Sequence, residues 1–398
     1  MVVTADVAVV GLGAMGAAAL YQLASRGIAA IGVDRFAPPH DQGSSHGETR
    51  ITRQAVGEGP AYVPLVLRSH AIWRDLEAAT GRSLLVACGG LMIGPPEHGT
   101  SHHGKKDFLG TTIAMARRFA IRHEVLDSAE IARRFPQFTG LAETDTGYYE
   151  PGAGFLHPEA CIAAQLGEAE RRGAQVLRGT VVTGLRQDGR VVRIETSAGA
   201  IEASRAIVAA GAWTAPLLGS PFAELLKVSR QVLHWFDTAD AARFTADACP
   251  IYIRMWGPGD GDYFYGFPIP AGSRGVKVAT EQQAIATTAA TINRVVAPEE
   301  AAAFHARQLA GRLAGVTPRV LRSAACLYTT TPDSDFLIDT HPTMPHVTVI
   351  SACSGHGFKH SAAIGEAVVQ DAVEGASRID LSAFRLKCRD TAACPAAD

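Results

Sequence analysis

The chain has 398 residues, 47% hydrophobic and 19% charged, with a formal net charge of −2. That length supplies two to three domains' worth of polypeptide and a large core, and the near-neutral charge leaves no basic footprint for nucleic acid or an anionic membrane. Residues 7 to 24 are uncharged, but Asp6 stands where a signal peptide would be basic, and three glycines and Gln22 interrupt the run. Nothing else is long and apolar enough to span a bilayer, so a cytoplasmic protein is expected. Seven cysteines (88, 161, 249, 326, 353, 388, 394) form no C-x-x-C pair, which argues against a disulfide framework or a zinc site.

The chain is organised around its opening. Val7 to Val10 reads as a buried strand, which breaks into Gly11, Gly13 and Gly16, the G-x-G-x-x-G spacing. A helix then runs to Gly27, and a second strand, Ile28 to Val33, ends on Asp34. Gly11 supplies the tight turn, Gly13 lets backbone N–H groups approach a pyrophosphate, and Gly16 lets helix and strand pack closely. The positive helix end faces the phosphates, and Asp34 is placed for ribose hydroxyls. Strand, glycines, helix, strand and acid in that order predict dinucleotide binding.

A polar loop, PPHDQGSSHGETR (38–50), is too long for a simple turn and reads as functional. Helical spacing follows over Val63 to Thr80. Residues 94–106, GPPEHGTSHHGKK, read as a solvated excursion, and no acid or cysteine stands at ligand spacing beside His98, His102 and His103. No metal is expected. Residues 159–172 read as a helix. Residues 176–214 contain three short strands with a turn at Asp188-Gly189, then a buried strand from Ala206 to Ala210 running into Gly211. Between 221 and 320 aromatics and prolines dominate, as in YFYGFP (263–268), and predict an antiparallel sheet facing a small molecule. The segment 347–369 returns to strand, glycine turn and helix.

GSSHGETR (43–50) with Arg53, GEGPAYVPLVLRS (57–69), YFYGFP, CLYTTTPDSDFLID (326–339) and SGHGFKHS (354–361) together resemble the monomeric sarcosine oxidase and N-methyltryptophan oxidase family of D-amino-acid-oxidase-like flavoproteins. The resemblance covers essentially the whole chain. It implies an α/β fold with a Rossmann-like FAD-binding domain built from 1–85, 150–220 and 320–390, a substrate domain from 86–149 and 221–319, and a tail at 391–398. FAD would meet Gly11, Gly13, Ala14, Met15, Gly16, Asp34 and Arg35 on its ADP half, with Val182 near adenine. Ser44, Ser45 and Thr49 would hold its phosphates and ribityl chain. Ala210, Gly211, Trp213, Gly355, Gly357 and Phe358 would complete the cofactor contacts, with His46 and Arg50 near the flavin face.

Cys326, by spacing alone a core thiol, matches the cysteine that this family attaches to the flavin. Arg53 and Lys359 match the pair gripping a substrate carboxylate. A lysine at a helix start is disfavoured by the dipole unless an anion sits beside it. Lys277, which strand alternation alone would turn to solvent, matches the lysine at the oxygen-reduction site; Tyr265 and Tyr328 would wall the substrate cavity, and His356 would reach the substrate. Glu281 departs from the family, which usually carries histidine there; an acid facing a carboxylate would repel it, yet could bind a cationic amine or a second polar group. The resemblance thus implies an oxidase of N-methyl or other secondary α-amino acids, monomeric or weakly oligomeric, using dioxygen. Oxidation of a cyclic secondary amine such as pipecolate or proline, oxidation of a primary amino acid, and a flavin-linked dehydrogenase remain as alternatives.

Overall fold

The computed structural model describes residues 2–96, 101–259, 261–282 and 285–386; His98, Cys388, Cys394 and the expected tail lie outside them. The strand Val2–Val10 runs parallel to Ala30–Val33 on one side and to Gly199–Val208 on the other. Gln175–Leu177 and Met344–Ser351 extend the parallel sheet at either end. Chain order therefore reverses across Val2–Val10, and a crevice outside the carboxyl ends of such strands is where this architecture binds ligands. The strand expected at 206–210 and the third short strand before it are one element, Gly199–Val208. Its first half pairs antiparallel with Val191–Thr196 and its second half parallel with Met344–Ser351.

The helix Ala14–Ser25 stops two residues short of Gly27 and is buried between Pro158–Arg171 and Ser361–Val369. Its small side chains allow close packing: a Cβ on Gly365 would lie 2.5 Å from Ala18 Cβ and 2.6 Å from the Ala18 carbonyl carbon. Val63–Thr80 is helical over the whole expected span and ends at Gly81 with φ 67°. Arg68 on this helix grips Glu366 through two bonds of 2.7 Å, tying the early chain to the late one.

A second sheet of eight strands is built from Val316–Thr330, Lys227–Thr238, Val276–Ala279, Tyr263–Gly266, Ile251–Met255, Gly90–Gly94, Thr146–Glu150 and Glu124–Leu126, in that order. It is antiparallel apart from one parallel pairing, Ile251–Met255 with Gly90–Gly94. The strand Val316–Thr330 straddles position 320 and pairs along its length with Lys227–Thr238, so Cys326 and Tyr328 belong to this sheet. Both faces are buried. Phe236, Phe264, Val276 and Val278 join one core, while Leu233, Trp235, Ala279 and Tyr328 alternate onto the other face. Lys277 lies on that second face but is only 1% exposed, because the 47–49 loop packs against it, correcting the solvent-facing reading from strand alternation.

Replacing Gly365 with alanine should force the helix pair apart, because the added methyl meets backbone atoms that cannot rotate away. Overpacking of this kind costs about 1–3 kcal/mol. Urea unfolding should show that loss, whereas unchanged stability would mean that the helices can separate freely.

Candidate functional site

The carboxyl ends of the parallel strands and the inner face of the second sheet enclose one long cavity. At one end Gly11 turns the chain with φ 85°, where a Cβ would stand 2.6 Å from the Ala209 carbonyl oxygen. Gly13 precedes the helix Ala14–Ser25 without a side-chain cap, and a Cβ there would meet only Ser45 Oγ, at 3.8 Å. This leaves an open hollow facing the unpaired N–H groups of a helix start, the physical setting for a phosphate. Asp34 accepts the Leu12 and Phe36 N–H groups, both at 2.8 Å, and the Arg35 guanidinium lies 5.2 Å from the Trp213 ring. Ala14, Met15, Ser44, Val182, Ala210 and Gly211 line the same end. Gly16 is not in the lining and packs against Gly11 and Val9. These residues fit a dinucleotide.

In the middle, the loop 44–50 is held almost entirely through its backbone. Glu159 accepts the Gly47 and Glu48 N–H groups at 2.6 and 3.1 Å. Arg50 donates to the Thr49 and Ser44 carbonyls at 2.9 and 2.7 Å. Lys277 Nζ donates to Gly47 O, Thr49 O and Thr49 Oγ1 at 2.6, 2.7 and 3.1 Å. Glu48 joins these groups at φ 73°, its carboxylate pinned by Trp235 Nε1 and Arg322, each at 2.7 Å, and by the Ser273 hydroxyl. The Lys277 amine also lies 4.5 Å from the Phe267 ring. Burial, then Arg50, pushes its pKa well below that of a free lysine. His46 is buried outside the lining, and burial pushes it down to about 4. Cys326 is fully buried and, like His46, lies outside the cavity lining, which Cys353 joins; burial raises its thiol pKa while Arg50 pulls the other way.

At the other end the proposed substrate residues converge on a carboxylate that was not among the sequence candidates. Glu58 is buried, and its oxygens lie 3.4 Å from Arg53 Nη2, 3.4 Å from Lys359 Nζ, 3.4 Å from His103 Nδ1 and 3.6 Å from His356 Nδ1. Burial opposes its ionisation, but Lys359 and Arg53 hold its pKa well below the usual carboxylate range. Burial takes Lys359 down to about 8. The anion that a lysine at this helix start requires is thus the protein's own Glu58. Tyr265, Tyr328, Gly355, His356, Gly357 and Phe358 complete the wall.

The histidine-rich excursion needs correction. Ser101–His102 and Lys105–Lys106 pair as a hairpin, and His102 and His103 are buried, 8% and 6% exposed. His103 Nε2 lies 2.8 Å from Glu281 Oε1, so Glu281 faces an imidazole rather than standing unpaired. Spacing along the chain missed this because the acids come from positions 58 and 281. Among the described residues, Glu58, His103 and His356, and likewise His102, His103 and Glu281, bring possible metal-ligand atoms within 4.8 Å of one another. However, Arg53 and Lys359 already occupy Glu58 and would repel a cation. Glu48 and Glu159 were equally invisible in the sequence; the signal that could have found Glu58 is its place inside the block GEGPAYVPL.

Glu58→Gln should leave Arg53 and Lys359 buried without their counter-charge, a change that typically costs about 3–5 kcal/mol. Because the folded pKa of Glu58 is depressed, its contribution is complete above its unfolded value of about 4.3 and is lost as pH falls through the lower folded value. Urea unfolding should therefore show the full gap at pH 7, narrowing only in strong acid. Equal stability of the two proteins at pH 7 would remove Glu58 as the anchor.

The FAD dependent oxidoreductase family matches residues 6–370. Monomeric sarcosine oxidase from Streptomyces avermitilis is 37% identical over 399 residues, covering 99% of each chain. N-methyl-L-tryptophan oxidase from Salmonella typhi is 33% identical over 96% of this chain and 98% of its own. The fold is similar to that of NikD, an unusual amino acid oxidase essential for nikkomycin biosynthesis, at a TM-score of 0.81 and 24% identity, covering 96% of this chain and 97% of that one. Glycine oxidase from Geobacillus kaustophilus superposes at a TM-score of 0.75 with 22% identity, over 97% and 99% of the two chains. With its glycine turn, its dinucleotide-shaped crevice and relatives matched from end to end, the chain belongs to the FAD dependent oxidoreductase family.

Proposed function

We propose that the protein is an FAD-dependent oxidase of N-methyl or other secondary α-amino acids, converting them to imines with dioxygen as acceptor. The observation that carries this reading is the convergence of two buried cations, Arg53 and Lys359, beside the cavity. Their contacts to Glu58 are 3.4 Å each, longer than the roughly 2.7–2.9 Å of a tight charge-assisted bond. Arg53 also donates to Ala55 O at 2.8 Å and Lys359 to His356 O at 2.9 Å, but the buried Arg53 Nε has no partner among the described residues, which leaves a donor for a second anion, and a substrate carboxylate is the natural one. The end-to-end similarity to a sarcosine oxidase and an N-methyltryptophan oxidase supports the same class.

Held by the glycine turn, Asp34 and the 44–50 loop, FAD would supply the acceptor for a hydride equivalent from the substrate C–H bond while the amine N–H proton leaves to solvent, and dioxygen would end as hydrogen peroxide with those two electrons and two protons. The chain's residues orient and exclude. Arg53 and Lys359 fix the carboxylate, Tyr265 and Tyr328 confine the side chain, and His356 borders the amine end. Orientation of this kind supplies much of the rate. The amine reacts as the free base, since its lone pair assists C–H cleavage, and the imine hydrolyses in water. An N-methyl substrate yields formaldehyde and the demethylated amino acid. Lys277 is the cation on the oxygen side, where positive charge stabilises developing superoxide. Cys326 is the candidate for a thioether to the flavin. The protein acts without nucleic acid or membrane, as a cytoplasmic monomer or weak oligomer.

A peroxide-coupled screen of N-methyl amino acids and of ring amines such as proline, with formaldehyde measured in parallel, tests the reaction; peroxide from the ring amines alone would move the substrate to that class, and peroxide without formaldehyde from an N-methyl substrate would mean oxidation at Cα with release of methylamine. Acid precipitation should leave yellow flavin on the denatured protein, and a colourless pellet would remove Cys326 as an attachment point. Lys277→Met should keep amine oxidation by artificial dyes while slowing reoxidation by oxygen about a hundredfold or more, the scale of a lost electrostatic stabiliser. Stopped-flow reoxidation at the wild-type rate would exclude Lys277 from the oxygen site.

A further inference from the structure

One charged group in the cavity has no part in the chemistry above. At the hairpin turn, His103 and Gly104 take φ of 51° and 69°, the pair of positive values that a type I′ turn requires. The turn inserts the His103 ring between two acids, with Nε2 2.8 Å from Glu281 Oε1 and Nδ1 3.4 Å from Glu58 Oε1. Its ring centroid lies 4.6 Å from that of His356 and 3.7 Å from that of His102. Lys105 ties the hairpin to Asp335 at 3.0 Å, and the His102 ring packs edge-on against Tyr263 and Phe108, at 4.5 and 4.8 Å.

We infer that His103, braced by Glu281, is a further substrate-binding residue: a third cation beside Arg53 and Lys359 that makes the site selective for amines carrying a single carboxylate. This rests on the reading that Arg53 and Lys359 receive a substrate carboxylate. Burial opposes protonation of His103, but Glu281 and Glu58 carry its pKa up to about 9. His102 and His356 face it and are held neutral by burial, His102 down to about 3. Burial opposes ionisation of Glu281, and His103 keeps it below the usual range. At neutral pH the cluster thus contains three cations, Arg53, Lys359 and His103, against two anions, Glu58 and Glu281. The surplus is one positive charge, which one carboxylate neutralises. A second carboxylate on the same molecule would bury an uncompensated anion, which is strongly disfavoured. Without His103 the four remaining charges sum to zero, and only the direct contacts of Arg53 and Lys359 favour an anion.

The test uses the FAD-loaded protein and calorimetric binding of 2-furoate, a carboxylate with no amine to titrate, against the neutral 2-furamide. His103→Gln should weaken furoate about fivefold or more, the effect of removing one nearby positive charge, while furamide changes less than about twofold. Glu281→Gln should shift the loss of furoate affinity to lower pH, because the acid that raises the His103 pKa is gone. Wild-type furoate affinity should decline as pH rises through the pKa values of Lys359 and His103, about 8 and about 9. The His103→Gln protein should retain only the lower step. A role confined to bracing the hairpin predicts loss of both ligands in both variants. That result, or wild-type furoate affinity in His103→Gln, overturns the assignment. If the unaltered protein binds neither ligand, the carboxylate reading fails and takes this inference with it.

Discussion

A carboxylate with almost no access to water must be surrounded by positive charge or lose its own. Glu58 meets that requirement with Arg53 five residues away, Lys359 from the far end of the chain, and His103 from the hairpin. None of these side chains could be buried there alone. Their joint burial forces the polar loop after the first strands, the hairpin and the SGHGFK segment to meet at one end of the cavity. Arg68 and Glu366 repeat the join on the helices behind. This end of the cavity is thus held together by opposed charges whose contacts to Glu58 are each 3.4 Å long.

The middle of the cavity solves a related problem differently. Lys277 is as buried as Glu58, yet no carboxylate lies within salt-bridge distance of it among the described residues; three oxygens of the 47–49 loop take its donors. Those carbonyls can point inward because Glu159 holds the neighbouring N–H groups and Glu48 accepts a left-handed backbone. Leaving the lysine without a directly paired carboxylate keeps its positive field available to the cavity. The cost is a depressed pKa, which burial and Arg50 impose and the more distant Glu159 partly offsets.

The opening strand, glycines, helix and acid were legible because their signal is local: period, turn chemistry and spacing all lie within thirty residues. The helix Val63–Thr80 was legible for the same reason. Lys277 was misread by alternation, since period 2 says which residues share a face but not whether that face meets water. Here a second layer covers it. The histidines at 102 and 103 were misread because a turn of six polar residues looks solvated until its acids, at 58 and 281, are brought to it by the fold. The resemblance to sarcosine oxidases picked out Arg53 and Lys359 without revealing what neutralises them.

Glu281 shows how far a single departure from a family pattern can be interpreted. Taken alone, an acid in place of an imidazole near a carboxylate site argues for repulsion and for a different substrate. With His103 at 2.8 Å, the imidazole is still present but arrives from another element, and the acid serves as its counter-charge. The charge presented to a ligand is therefore a property of the whole cluster, so a substitution at 281 alone does not define the substrate. The same compensation brings a hairpin far from the glycine turn, and outside the family's motifs, into contact with both buried acids.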